Sequence, residues 1–483
     1  MNSLSWSPRL GLAAGIAAVL FALAPSAAAK PAWQLVYSEP NQGNVLVGLS
    51  AVDGSHAWAV GVSSSTGNSA PVGVLTTDGS TWSTMTLPPP SGGPMQITLY
   101  TAIDFSNPTQ GWLNGVQAGI GGAHALLYAT QTGGMAWAQV FQPTEPLTMI
   151  QALPSGELYG AGGVTLVVST DGVTYGEVSP PVPGALGLTA VHMLNSGCGF
   201  LAAASASDAA TAESAVLWSG DGGQSWEVRA QGLPARLGRM WFVTANLGWA
   251  AGTDAQGAGV VARTTDGGRT WTMAMLPDHP AIGAAGTPTP VSSCQDVRFF
   301  DDLRGVALCL ACTANCDPGA QGDPSLLTVF ARSSDGGLSW TMDPDYEPVM
   351  SAPPFGPLMK FSGMDAMAFP DPNGGFLAGQ NNLVLRYAAV EAEPAAWGPP
   401  SCDPGAGGTG GSTGGGGNGA SNGSADGDTA TKSGCGCALP GTADTTPRAA
   451  ILGLALTFLS AGAGRARRAA RRACRASAAR NPS

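Results

Sequence analysis

Residues 264–271 read TTDGGRTW, and this short stretch decides the fold. An Asp flanked by hydroxyl side chains, two glycines and an aromatic is the chemistry of a tight hairpin turn. The carboxylate and hydroxyl oxygens hold turn amides, Gly accepts a positive φ, and the ring anchors the following strand. The string returns at 76–82 (TTDGSTW), 169–175 (STDGVTY), 219–226 (SGDGGQSW) and 333–340 (SSDGGLSW), with a degenerate copy, TQTGGMAW, at 130–137. Apolar strand residues lead into the copies, for example at 164–168, 260–262 and 327–331. The pattern makes Asp78, Asp171, Asp221, Asp266 and Asp335 turn residues and Trp82, Trp226, Trp271 and Trp340 their closing rings.

A second motif alternates with the first. It runs apolar-x-apolar, polar turn, then Gly-aromatic-apolar-small-Gly, as in AIDFSNPTQGWLNG (102–115) and WFVTANLGWAAG (241–252). Seven such hairpins occur, each followed by a strand pair, and six of those pairs carry a box. The unit is a four-stranded meander of about 52 residues, the size of one propeller blade. An all-β, seven-bladed β-propeller over 30–400 follows, with six blades still open because the 150–175 unit is short. Residues 32–37 look like a strand that follows a box, yet none precedes them, so they are expected to complete the last blade. The seventh pair runs from 383–387 toward Trp397.

The repeats resemble Asp-boxes, the bacterial neuraminidase repeats of sialidases and of the photosystem-assembly-factor type of propeller, over roughly 33–400. Fold likeness does not assign chemistry. A sialidase resemblance implies an arginine triad, yet no arginine lies between Lys30 and Arg229 and the Phe/Tyr-Arg-Ile-Pro motif is absent. Asp-box xyloglucanases imply two propellers, and this chain has repeats for one. No catalytic residue, cofactor or metal site is assigned.

Composition agrees with many short strands. Seventy glycines and thirty-seven prolines in 483 residues, with only 11% charged residues, disfavour long helices. Residues 30–447 hold about twenty more acidic than basic side chains, which disfavours a nucleic-acid partner. Residues 1–29 read as a signal peptide, with Arg9, an apolar core and a small-residue cut at Ala29. Residues 401–434 form a Gly/Ser-rich linker. The segment 435–483 holds Cys435-Gly-Cys437, an apolar stretch at 449–464 and an arginine cluster. This end resembles the myxobacterial C-terminal sorting domain, MYXO-CTERM. That resemblance implies a hydrophobic transmembrane helix, cleavage near the Cys motif by a sorting protease, and a lipoprotein-like product held at the cell surface or outer membrane through Cys435 or Cys437.

The longest insertions, 276–296, 309–325 and 342–360, fall on the propeller face opposite the boxes. They bring Asp278, His279, Asp317, Asp323, Asp343, Asp345, Tyr346 and Glu347 to one sector, the candidate binding site; the Asp-Pro pairs there are equally ordinary turn dipeptides. Cys294, Cys309, Cys312 and Cys316 belong to one unit. In an exported chain disulfides are expected over zinc, with Cys294 opposite 309–312, while Cys198 and Cys402 have no assignable partner. The expected function is an exported, surface-anchored, non-catalytic propeller binding an envelope or matrix protein or polysaccharide. A glycoside hydrolase using loop-face carboxylates and an assembly factor for an envelope complex are the alternatives.

Overall fold

The computed structural model describes residues 33–402 apart from 39–43, 64–69, 90–96, 120–121, 207–210, 281–287, 313–325, 347–363, 381, 391, 397 and 399. Ala29, Cys435, Cys437, the leader and the sorting segment lie outside the described residues, as does all of the linker beyond Cys402. Among the described residues no helix is long and apolar enough to cross a membrane.

Seven four-stranded antiparallel sheets form a seven-bladed β-propeller. The innermost strands are Asn44–Ala51, Ile97–Phe105, Met149–Ala152, Gly187–Asn195, Ala235–Phe242, Val291–Phe299 and Met364–Asp371, and they define blades 1 to 7. Each touches its neighbours around a closed ring. Blade 7 is completed by Trp33–Tyr37, which pairs antiparallel with Val384–Ala388. The expected strand toward Trp397 is therefore not the fourth strand of blade 7: that edge is taken by the N-terminal strand, and the chain after Ala388 leaves the sheet. The N-terminal strand covers the edge that Val384–Ala388 would otherwise present.

The boxes are built as their chemistry requires. In the 264–271 box, Thr264 Oγ1 donates to Asp266 Oδ1 (2.8 Å) and accepts from the Gly268 amide (3.0 Å), while Asp266 Oδ1 accepts the Arg269 and Thr270 amides. Gly267 and Gly268 take φ of 72° and 82°, which a side chain rarely tolerates. In the degenerate copy Thr132 stands in for the Asp and holds the Ala136 amide at 2.9 Å.

The second motif is explained by two close approaches. Its first glycine, Gly111, Gly248 or Gly305, lies against the ring of Phe105, Phe242 or Phe299, and an added Cβ would overlap that ring. Its last glycine, Gly61, Gly162 or Gly252, lies against the backbone of the preceding inner strand or its approach. The aromatic between them reaches the next blade. Trp58 stacks on Phe105 (3.7 Å), Phe200 on Phe242 (3.6 Å) and Trp249 on Phe299 (3.5 Å). Where the aromatic has a donor it also reaches the next box: Trp58 Nε1 to Gly133 O (2.9 Å), Trp249 Nε1 to Gly336 O (2.8 Å) and Tyr159 Oη to Gly222 O (3.4 Å).

After Ala388 the chain forms a strap over the box face. The Glu393 amide donates to Asn373 of blade 7 (2.7 Å), and Arg304 of blade 6 donates to the Pro394 and Ala395 carbonyls. Ser401 then accepts from the Ala245 amide of blade 5 (3.0 Å), and Cys402 is disulfide-bonded to Cys198 of blade 4. Thus Cys198 and Cys402, unpaired by sequence reasoning, are each other's partners across 204 residues, a pairing that only the path of the strap reveals. Cys294 and Cys309 form the expected bridge across the first hairpin of blade 6. The side chain of Cys312, and Cys316 altogether, lie outside the described residues.

Two outcomes follow. Trp249→Phe keeps the stack on Phe299 but leaves the buried Gly336 carbonyl unpaired, so it should cost about 1–2 kcal/mol in denaturant unfolding; an unchanged midpoint would remove the bond from the account of blade packing. Cys402→Ser should expose 389–402 to limited proteolysis while the cleaved ring stays folded, read by mass spectrometry of the fragments.

Candidate functional site: the central channel

The acidic loop sector is placed in pieces. Asp278 is exposed, and His279 is half-buried, its backbone exchanging hydrogen bonds with Thr289 at 2.8 and 2.9 Å. Asp343 is buried, accepting from Arg332 Nε (2.7 Å) and from Trp33 Nε1 (3.4 Å). Tyr346 is buried against the Trp33 and Phe330 rings, and burial drives its phenol far above the usual range. These two residues lock the ring closure, since Trp33 begins the strand that completes blade 7. The Asp345 side chain, Asp317, Asp323 and Glu347 lie outside the described residues. Among the described residues no group of three metal-ligating side chains gathers.

The register of the inner hairpins brings a different set together. Ser50, Asp104, Gln151, His192, Trp241, Arg298 and Ala368 occupy the same position, one per blade, each opposite the residue that packs on the next blade. The polar members stitch the ring in one direction. Ser50 Oγ donates to Asp104 Oδ1 (2.8 Å), and Asp104 Oδ2 accepts the Ala152 amide (2.7 Å). Gln151 exchanges bonds with the Met193 backbone (3.0 and 2.6 Å), and His192 Nε2 donates to Phe242 O (3.0 Å). His192 then meets the Trp241 ring (4.3 Å), and beyond that ring the pattern changes: the Arg298 guanidinium sits 4.0 Å from the Trp241 centroid. Two residues earlier in the register stand Arg239 and Asp296.

Blades 5 and 6 thus carry Arg239, Asp296 and Arg298, and blade 2 carries Asp104. Burial pushes the Asp104 and Asp296 carboxyls up to about 6, opposed in Asp104 chiefly by the hydrogen bonds from Ala152 and Ser50 and in Asp296 chiefly by Arg239. Burial also brings His192 down to about 4 and Arg298 to about 10, although Asp296, Asp104 and Asp371 favour the charged guanidinium. Arg298 Nε, Trp241 Nε1 and Gln295 Oε1 are buried without a hydrogen-bond partner among the described residues. Such a set, desolvated yet incompletely paired, is suited to holding a polar guest.

Sequence reasoning passed over these residues because it read the inner strands as core. A signal was present: aligning the seven second motifs puts Asp104, His192, Trp241 and Arg298 in one column where an apolar residue would suffice.

His192 generates a pH prediction. Its folded pKa lies below the unfolded value near 6.5, so its contribution is present above pH 6.5 and lost as pH falls toward 4. Asp104 and Asp296 act in the opposite sense, favouring the fold below pH 4 and losing that contribution as pH rises through 6. The stability difference between wild type and His192→Gln should therefore shift toward the variant by up to about 3 kcal/mol between pH 6.5 and 4. Denaturant unfolding at four pH values checks it; a pH-independent difference would show that His192 does not titrate in this way.

No family model matches the chain, and no curated protein matches it in sequence. Solved structures do. A structure of YCF48 bound to D1 peptide is 20% identical, covering 74% of this chain and 97% of that one, with a TM-score of 0.48. The GH74 enzyme of Niastella koreensis is 14% identical, covering 76% of this chain and 55% of that one, with a TM-score of 0.50, so the chain spans about half that enzyme's length. The Hadza microbial sialidase Hz136 is 15% identical, covering 72% and 66%, with a TM-score of 0.37. Seven four-stranded blades and the likeness to the GH74 enzyme agree on a β-propeller fold, with boxes at its turns.

Proposed function

We propose that the protein is an exported module, held at the cell surface through its C-terminal end, whose propeller binds an envelope or matrix protein or polysaccharide without transforming it. The observation that carries this reading is the strap. It ends at Cys402 on the box face, so the Gly/Ser-rich sequence that follows departs from that face. The opposite face receives the second-to-third turns and the connections between blades, Asp278 among them, and is left for a partner. The C-terminal order of Cys motif, apolar stretch and arginines supports anchoring, with processing by a sorting protease near Cys435 and Cys437.

The hydrolase alternative asks for an acid pair on the loop face. Asp343 supports it poorly, because its carboxylate is committed to Arg332 and Trp33. A role as an assembly factor for an envelope complex rests on fold likeness to YCF48 alone, which at this similarity decides nothing.

Deleting 435–483 should move the protein from the cell-envelope fraction to the medium; retention in the envelope would sink the anchoring. The purified protein should bind, saturably, to cells that lack it. Asp278→Arg on the loop face should weaken that binding by about tenfold, whereas Leu338→Arg on the box face should leave it within about twofold. New products in mass spectra of envelope glycans after incubation would establish a hydrolase instead.

A further inference from the structure

The channel cluster calls for a guest of defined chemistry. Arg239, Trp241, Asp296 and Arg298 sit on innermost strands whose two faces are covered by neighbouring blades, yet all four remain partly exposed. That exposure faces the channel. The Nε of Arg298 and the Nε1 of Trp241 are buried donors with no acceptor among the described residues, although the guanidinium sits 4.0 Å from the indole centroid. Arg239 makes no hydrogen bond among the described residues, and Asp296 Oδ1 accepts only its neighbouring amide, Val297 N, at 2.8 Å. Charges kept in a desolvated place without hydrogen-bonded partners are a cost the fold does not need, because Ala, Ser and Gly fill the same register positions on blades 1 and 7.

The charges alternate in sign and occur in close sequence on two adjacent blades. A plain anion would answer the arginines but meet Asp296, and it would have to approach a body that carries a large excess of acidic residues. A plain cation would meet two guanidinium groups. A molecule with both signs, and no net charge, satisfies the set.

We propose that Arg239, Trp241, Asp296 and Arg298 form a channel site for a small zwitterion of the α-amino acid class. Its carboxylate takes the terminal guanidinium nitrogens of Arg298 and Arg239, its ammonium takes Asp296, and the Trp241 ring supports the Arg298 guanidinium. The partner surface proposed for the loop face is separate from this site, and neither requires the other.

Titration calorimetry of the purified protein with glycine and a panel of L- and D-amino acids tests the proposal. Sodium acetate and methylammonium chloride serve as the two halves of the ligand. At least one amino acid should bind saturably with a Kd below about 1 mM, and each half alone should bind at least about tenfold more weakly. Arg239→Gln and Asp296→Asn should each weaken binding by about tenfold or more. Trp241→Phe, which keeps a ring beside Arg298, should weaken it by a smaller factor while the unfolding midpoint stays close to wild type. The proposal is overturned by the absence of saturable binding up to about 20 mM of any amino acid, well beyond the affinity expected. Acetate binding as tightly as the amino acids overturns it too, as does binding that both charge substitutions leave unchanged.

Discussion

Everything in this ring depends on how one blade grips the next. The second strand of every blade but the sixth, which has Val306, carries an aromatic side chain at one fixed register, and that side chain packs toward the next blade. Trp58 and Trp249 stack on a phenylalanine and also donate to a glycine carbonyl in the following box. The ring needs the phenylalanine, the phenylalanine needs the glycine across its own hairpin, and the indole needs the box glycine to turn its carbonyl inward. Three sequence features that look independent are therefore parts of one contact, repeated around a circle. Blades differ in which parts they retain: Phe200 stacks but has no donor, and Trp112 bonds to the Tyr175 hydroxyl at 2.8 Å instead of to a carbonyl.

That dependence explains why the architecture is readable from sequence. The boxes and the glycine-bracketed aromatics are local and periodic, so seven blades can be read from spacing, with six left open only by the short 150–175 unit. The closing strand near Trp33 can be read from its likeness to the strands that follow boxes. The Cys294–Cys309 bridge is readable because it spans one hairpin. Failures fall where information is not local. Nothing near Cys198 or Cys402 in the chain points to the other, since a strap crossing three blades joins them. Trp397 looks like a box-end ring only if the seventh unit ends as the others do, and it does not. Asp343 and Tyr346 look like exposed loop residues because loop length is visible in sequence and burial is not. The channel column is hidden for a related reason: a polar residue or indole at a fixed register in six of the seven units becomes a cluster only once the units close into a circle.

The distribution of charge around that circle is uneven. Between Lys30 and Arg229 the chain places no arginine, so blades 1 to 3 are stitched at the channel by Ser50, Asp104 and Gln151, whereas blades 5 and 6 use Trp241 and Arg298. Hydrogen bonds to backbone and hydroxyl hold one side of the axis, and stacked or through-space charge holds the other. The stitched side is closely paired and rigidly specified; the other retains buried donors without an acceptor among the described residues. A propeller with near-identical repeats thereby acquires one distinctive sector without altering the blade plan.

The strap also decides where mechanical load enters. The noncovalent closure in blade 7, where Trp33–Tyr37 pairs with Val384–Ala388, is a seam at which a pull along the chain could peel a strand from the ring. A force applied beyond Cys402 does not arrive there. It passes through the disulfide into Cys198, at the start of the second strand of blade 4, which is hydrogen-bonded to strands on both sides. Blade 4 bears the tension and the seam of blade 7 is shielded from it, so the ring can be dragged by its tail without being unzipped.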